Sequence, residues 1–270
     1  MAIRPLKARK EKQAQLALFG AFLLGAAVLG IQAASHLLAD HTEYDETTLC
    51  AVGTAPAEHV AVLVDHTDPY SPIQRKIFAE TIREVSASLA VGGRISVHVL
   101  SDQPGQVSVP VFDMCKPSDG TDANPIYENE VLDRMRYDQA FAGPMDTLAE
   151  RLKAGASAET SPILEAAAEA ALSVRRDAPL RLVIISDLLQ NSALGSVYAG
   201  SNNAAKLEAA PGFLAIRRGL DGTRVDIVLL PSASHAYLQT EALTAFWRDA
   251  LTLSGATVLN GLGSPDPARR

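Results

Sequence analysis

"VAVLVDHTDPYSPIQ", residues 60–74, decides how this chain is read. Five apolar residues, Val60 to Val64, run straight into Asp65. A short, unbroken apolar run is the mark of a strand buried on both faces. A hydroxyl follows at Thr67, and Ser71-Pro72 then has the form of a helix N-cap and first helical position. Ile73, Ile77, Ile82, Val85 and Leu89 recur at helical spacing, one buried face. The stretch is therefore strand, acid, hydroxyl, helix, and the acid stands where the strand ends.

The same grammar recurs downstream. "VGG" (91–93) stops the first helix. "RISVHVL" (94–100) and "QVSVPVF" (106–112) alternate apolar and polar residues across the turn "SDQPG", which predicts a hairpin. Residues 113 to about 125 read as loop, with Cys115 in it, and a helix is expected over much of 127–153, broken near Gly143-Pro144. "ETSPILEAAAEAALSVRR" (159–176) is a capped, alanine-rich helix. "LRLVIISD" (180–187) is a second buried strand that ends in an acid, Asp187. "AAKLEAAPGFLAIRRG" (204–219) is helical around Pro211, and "TRVDIVLLP" (223–231) is a third buried strand. "TEALTAFWRDALTLSGA" (240–256) is an amphipathic helix with Leu243, Trp247 and Leu251 on one side, and "TVLNG" is a last short strand. Strands alternating with helices predict an α/β fold: a doubly wound, mostly parallel sheet with an early antiparallel hairpin.

Ahead of that body lies "LALFGAFLLGAAVLGIQAA" (16–34), in which only Gln32 is polar. At ~1.5 Å per residue it makes roughly 28 Å of helix, close to the ~30 Å of a bilayer's hydrocarbon. The first twelve residues hold five of the 24 basic residues and one of the 31 acidic ones, so the remainder carries 19 against 30, a net of −11. Basic residues before an apolar helix stay in the cytoplasm, and the body is exported. The organisation expected is a basic cytoplasmic head (1–14), a transmembrane helix (15–38), a stalk (39–58), an α/β domain (59–262) and a disordered tail (263–270). A cleaved signal peptide with "AAS" at 33–35 is the rival reading and sends the body to the same side. An acidic body argues against nucleic acid as a partner. Export also suits a disulfide between Cys50 and Cys115, and no CxxC suggests a redox site or zinc ribbon.

Asp65 and Asp187 end two buried strands. In open parallel sheets, sites lie outside the carboxyl ends of the strands, where strand order reverses. If the two strands are neighbours, the carboxylates face one crevice, and like charges held close need a proton or a cation. Thr67 and the hydroxyls of Thr160 and Ser161 can face the same crevice. Oxygen donors with few acids suit a hard cation such as Mg²⁺. Each residue also has a plainer role: the acids cap the loops that follow them, and Ser71, Thr160 and Ser161 cap helices. Asp226, in mid-strand, is expected at an exposed edge or hydrogen-bonded to a loop.

Asp65-His66-Thr67, Thr160-Ser161 and "IIS" before Asp187 resemble the metal-ion-dependent adhesion site of von Willebrand factor type A domains. That family's motif is Asp-x-Ser-x-Ser, a distant Thr before a helix, and a later strand-ending Asp. The element order over roughly 58–260 is similar too. Pro69 stands where the second serine falls, leaving Tyr70 or Ser71 to substitute, and Leu188 stands where the family has Gly, so the site is a degenerate one. The resemblance implies a membrane-tethered, extracytoplasmic protein-binding module, periplasmic in a bacterium and not an enzyme. It implies Mg²⁺ or another divalent cation held among Asp65, Thr67, Ser71, Thr160, Ser161 and Asp187, and a protein partner whose carboxylate completes the coordination. Two alternatives stand beside it. One is a scaffold subunit of a membrane complex with a vestigial site. The other is a haloacid-dehalogenase-like phosphatase with Asp65 as nucleophile, against which the missing lysine and late acidic pair count.

Overall fold

The computed structural model describes residues 19–30, 43–100, 107–121, 129–155, 157–174, 178–200 and 203–259. The chain divides into two units, Met1–Glu43 and Tyr44–Arg270. In the first, residues 19–30 are helical (α1), with Phe19, Phe22, Leu23, Leu24, Val28 and Leu29 exposed. Among the described residues no helix is long and apolar enough to cross a membrane. The rest of the expected transmembrane segment, the basic head and the 263–270 tail lie outside the described residues.

The second unit is a mixed α/β body. Its elements are β1 (His59–Asp65), α2 (Pro72–Ser88), β2 (Arg94–Leu100), β3 (Phe112–Cys115), α3 (Glu130–Tyr137), α4 (Gly143–Leu152), α5 (Ile163–Ser173), β4 (Leu180–Ser186), β5 (Asn191–Ser192), β6 (Gly195–Ser196), α6 (Ala204–Glu208), α7 (Phe213–Leu220), β7 (Arg224–Leu229), α8 (Glu241–Leu253) and β8 (Thr257–Val258). Six strands form one sheet in the order β3-β2-β1-β4-β7-β8, parallel except where β2 meets β3. The small β5–β6 ribbon stands apart from it.

The unbroken apolar run of β1 is explained by the two cores it serves. Successive strand side chains point to opposite faces. Val60, Val62 and Val64 enter one core with Phe78, Ile82 and Val85 of α2 and Met145 and Ala149 of α4. Ala61 and Leu63 enter the other with α5, α7 and α8. β4 splits the same way, Val183 and Ile185 against Leu182 and Ile184. A polar residue at either parity would be buried, so alternation is impossible here. Helices α5 and α7 approach so closely that a Cβ on Gly219 would lie 2.6 Å from the Ala168 carbonyl oxygen. Trp247 is fully buried in the second core and donates its Nε1–H to Leu188 O at 2.9 Å; truncating it to Ala removes about 3–5 kcal/mol.

Three expectations are corrected. The strand after β2 is Phe112–Cys115, not 106–112, and Cys115 ends it. Val109 and Val111 are exposed, and Pro110 has no N–H for a ladder. Asp113 instead receives a two-pronged ion pair from Arg94 at 2.7 and 2.6 Å, and the Cys115 N–H meets Thr48 O. The Cys50–Cys115 disulfide is present and bridges 65 positions, a closure worth ~4 kcal/mol in the chain-entropy model. The expected break near Gly143-Pro144 is not an interruption but a π-helical turn, Asp138–Ala142, joining α3 to α4. The Gly143 N–H reaches back five residues to Asp138 O, and Pro144 sits in the first turn of α4, where its missing N–H costs least. Asp226 is not at an exposed edge: it is buried on β7, and Arg181 on the adjacent β4 donates to it at 2.5 Å.

Candidate functional site

The chain leaves β1 towards β2 on one side and returns to β4 on the other, so the strand order reverses between β1 and β4. Such a switch point opens a crevice at the carboxyl ends of the strands. Asp65 ends β1 there. The parallel register pairs Val64 with Ile185, which brings Asp65 level with Ser186, one residue before Asp187.

Asp65 is 5% exposed and held by hydroxyls from its own loop and from two distant segments. Thr67 Oγ1 donates to its Oδ1 at 2.6 Å, and the Thr67 N–H adds a second bond at 3.2 Å. Ser186 Oγ donates to its Oδ2 at 2.6 Å, and Ser161 Oγ lies 3.5 Å from the same oxygen. Thr67 Oγ1 and Ser161 Oγ are 3.4 Å apart. Tyr70 OH donates to the Asp65 backbone carbonyl through a short hydrogen bond.

Burial pushes the Asp65 carboxyl up, and the bonds from Ser186 and Thr67 oppose that rise. Burial, and then the charge of Asp65, push Asp187 up to about 7; the Leu189 N–H at its Oδ1, 3.0 Å, opposes them. Among the described residues neither acid forms an ion pair. His66 beside them has a buried Nε2 with no hydrogen-bond partner, and burial lowers its pKa against the pull of Asp65.

The scaffold around these groups is tight. Ala158 N–H donates to Thr67 O at 2.9 Å. Gly155 has φ +67°, and a Cβ there would lie 2.2 Å from Asp68 O, so only glycine lets that loop close on Thr67. Ser161 is bridged backbone to backbone with Asn191. Leu188 takes a left-handed φ of 64°, unusual for a branched residue. Its N–H bonds Ser186 Oγ at 2.8 Å, and its buried side chain and the Trp247 bond hold it there. Gln239 Nε2 donates to both Asp187 O and Leu230 O at 2.9 Å, tying the loop after β7 to the loop after β4.

Of the sequence-derived candidates, Asp65, Thr67 and Ser161 converge, and Asp187 lies beside them. Ser71 is occupied elsewhere: its Oγ accepts the Gln74 N–H at 3.3 Å in a capping box. Thr160 faces solvent. Ser161 escapes capping duty because the side-chain oxygen of Gln190, from the loop after β4, accepts the Leu164 N–H at the start of α5. Ser186 is the residue the sequence reading did not place in the site; its signal was the hydroxyl one position before the strand-ending acid.

No three His, Cys, Asp or Glu side chains gather into a metal-binding group among the described residues. The set here is different, two carboxylates with three neutral hydroxyls. All are hard oxygen donors of the kind Mg²⁺ takes alongside retained waters. Pro69 is exposed and brings no donor.

No known family and no curated protein matches the chain by sequence. Among solved structures it is similar to the D319A mutant of the PilB minor pilin from Streptococcus sanguinis, at TM-score 0.40 and 9% identity, over 77% of this chain and 57% of that one. The chain thus matches little more than half the length of that pilin.

Proposed function

We propose that the protein is a membrane-tethered, extracytoplasmic protein-binding module of the von Willebrand factor type A kind, which docks its partner at the carboxyl rim of the sheet. One observation carries this reading. A buried, unpaired carboxylate, Asp65, is ringed by hydroxyls from three separated chain segments, with a second acid beside it, at the switch point of the sheet. The plain alternative, that these acids only cap loops, accounts for the Leu189 bond to Asp187 but not for that convergence. A divalent cation, Mg²⁺ or a relative, would be held by Asp65, Thr67, Ser161, Ser186 and Asp187. It would supply positive charge towards a carboxylate on the partner. The chain's own groups place the oxygens, keep Asp65 ionisable through hydroxyl bonds, and hold both loops rigid through Gln239 and Trp247. The tether is supported by the apolar run around α1, whose described side chains are exposed, and by the basic residues before it.

Calorimetry with Mg²⁺ and Mn²⁺ on the full chain in detergent, with Asp65→Ala beside it, tests the metal. Binding heat in the native chain and none in the variant is the expected result. Equal heats in both remove the cation and leave a scaffold subunit with a vestigial site. A phosphatase assay with Asp65→Asn tests the remaining alternative, and turnover lost with the variant would favour it. A carboxylate 5% exposed with both oxygens already bonded is a poor nucleophile.

A further inference from the structure

The rim carries a second feature that the metal reading does not use. Tyr198 follows the β5–β6 ribbon in the loop after β4, and His235 and Tyr237 lie in the loop after β7. The Tyr198 and His235 rings meet edge to face at 5.4 Å and 85°, and His235 and Tyr237 lie 6.4 Å apart at 52°. The edge-to-face pair occupies one face of one ring and leaves the opposite faces for a ligand. Tyr198 is 46% exposed and Tyr237 is 71% exposed. Around them the loops are rich in Ser, Asn and Gly: Asn191, Ser192, Gly195, Ser232 and Ser234. Aromatic anchors among small polar residues are the composition of a recognition surface.

These loops are held in place. Gln190 Nε2 donates to Ser192 Oγ and to Glu165. The Ser232 N–H donates to Gln239 Oε1, the residue that ties both loops together. His235 Nδ1 lies within hydrogen-bond distance of Ser234 Oγ at 3.2 Å, which fixes its ring. Rings fixed before binding lose little freedom on contact.

Charge decides what they take. Burial, then the carboxylates of Asp187, Asp68 and Asp65, push the Tyr198 phenol up to about 12. Burial opposes any charge on this ring, so the field's preference for a cation comes only from the carboxylates, among them Asp68, which the divalent-cation reading leaves unused. The faces of aromatic rings attract cations as well. Guanidinium suits the place better than ammonium: it stacks flat on a ring and can fork to a carboxylate. Asp68 is exposed on the same rim.

We propose that Tyr198, His235 and Tyr237 form a cradle for an arginine side chain carried by the docking protein. The proposal rests on the reading that this rim binds a protein, but not on the cation. It makes the contact bipartite, an arginine on the aromatic loops beside whatever engages the Asp65 cluster.

The test uses the full chain in detergent micelles with ring-¹³C-labelled tyrosine. Six tyrosines give few signals, and Tyr198→Phe and Tyr237→Phe assign the two that matter. The probes are a capped Gly-Arg-Gly tripeptide and its neutral citrulline twin, titrated in EDTA so that metal takes no part. The arginine peptide is expected to shift both ring signals saturably, and the citrulline peptide to bind roughly tenfold more weakly. Tyr198→Ala, read on the Tyr237 signal, should weaken the arginine peptide by a similar factor, whereas Tyr198→Phe, which keeps the ring, should stay within about threefold. Equal binding of the two peptides, no saturable shift, or undiminished binding by Tyr198→Ala overturns the cradle. The magnesium heat of the native chain decides the metal separately: its absence with arginine binding intact leaves the cradle standing and removes only the cation.

Discussion

Asp226 and Asp65 are equally buried, each 5% exposed, and each lies on or at the end of a central strand. Their surroundings differ completely. Asp226 faces Arg181 on the neighbouring strand, 2.5 Å away, and the pair neutralises itself. Asp65 meets hydroxyls and, beside it, a second acid. A carboxylate given a base is part of the frame. One left without a base, at the mouth of the sheet, must be balanced by a proton or by something not in the chain. The cost of removing a charge from water is large unless a partner offsets it, so an arrangement that withholds the partner signals a use.

That contrast can be broken most forcefully by pH. Asp187 has an unperturbed value near 3.8 and is pushed up to about 7 in the fold. Between those values the unfolded chain has lost its proton while the folded chain retains it. The Asp187 contribution to stability therefore falls as pH rises from about 4 to about 7, by ~1.4 kcal/mol per unit, on the order of 4 kcal/mol in total, while His66 and His98, whose pKa values burial lowers, contribute in the opposite direction as pH rises through the histidine range. Urea unfolding in EDTA across that range should show the slope, and Asp187→Asn should flatten it. A difference between the native chain and Asp187→Asn that stays flat or runs the other way over the same interval would contradict the unpaired rim.

The next effect belongs to the frame. Asp226→Ala leaves Arg181 half-buried in the sheet without its carboxylate and should cost about 3 kcal/mol of unfolding free energy. Asp65→Asn should cost far less in EDTA, because it removes a buried charge with no base to strand. If the two variants are equally destabilised by chemical denaturation, the distinction between framing and functional acids fails.

The smallest effect sharpens the rim itself. Leu188 holds a left-handed backbone that Gly would adopt freely. Leu188→Gly relieves about 1 kcal/mol of strain but empties a buried side-chain site worth about 3 kcal/mol. A net loss of about 2 kcal/mol, measured by thermal and urea unfolding, is expected. A more stable variant would mean that the side chain contributes little and strain dominates.

Much of the fold could be read from residues alone. Val60–Val64 and Leu182–Ile185 announce buried strands because both faces of the sheet are covered. Ser71-Pro72 announces a helix start, since the cap motif is local. The third strand was misread because its apolar residues at 109 and 111 face solvent, and its true pairing is set by Arg94 and by a disulfide to a residue 65 positions away. Asp226 was misread because its base lies 45 positions distant on a strand whose register is set by the whole sheet.

By itself, the sequence determined the alternation of strands and helices, the acids at two strand ends and the cysteine pair. Those depend on local periodicity and on residue chemistry that any fold must respect. Only the tertiary structure decided that β1 and β4 lie side by side, that Ser186 rather than Asp187 bonds Asp65, that Gln190 takes over the cap of α5 and so releases Ser161, and that Tyr198 meets His235 across two loops. Each of these is a contact between residues far apart in the chain. Its register is settled by packing two cores at once, and no window of neighbouring residues carries that information.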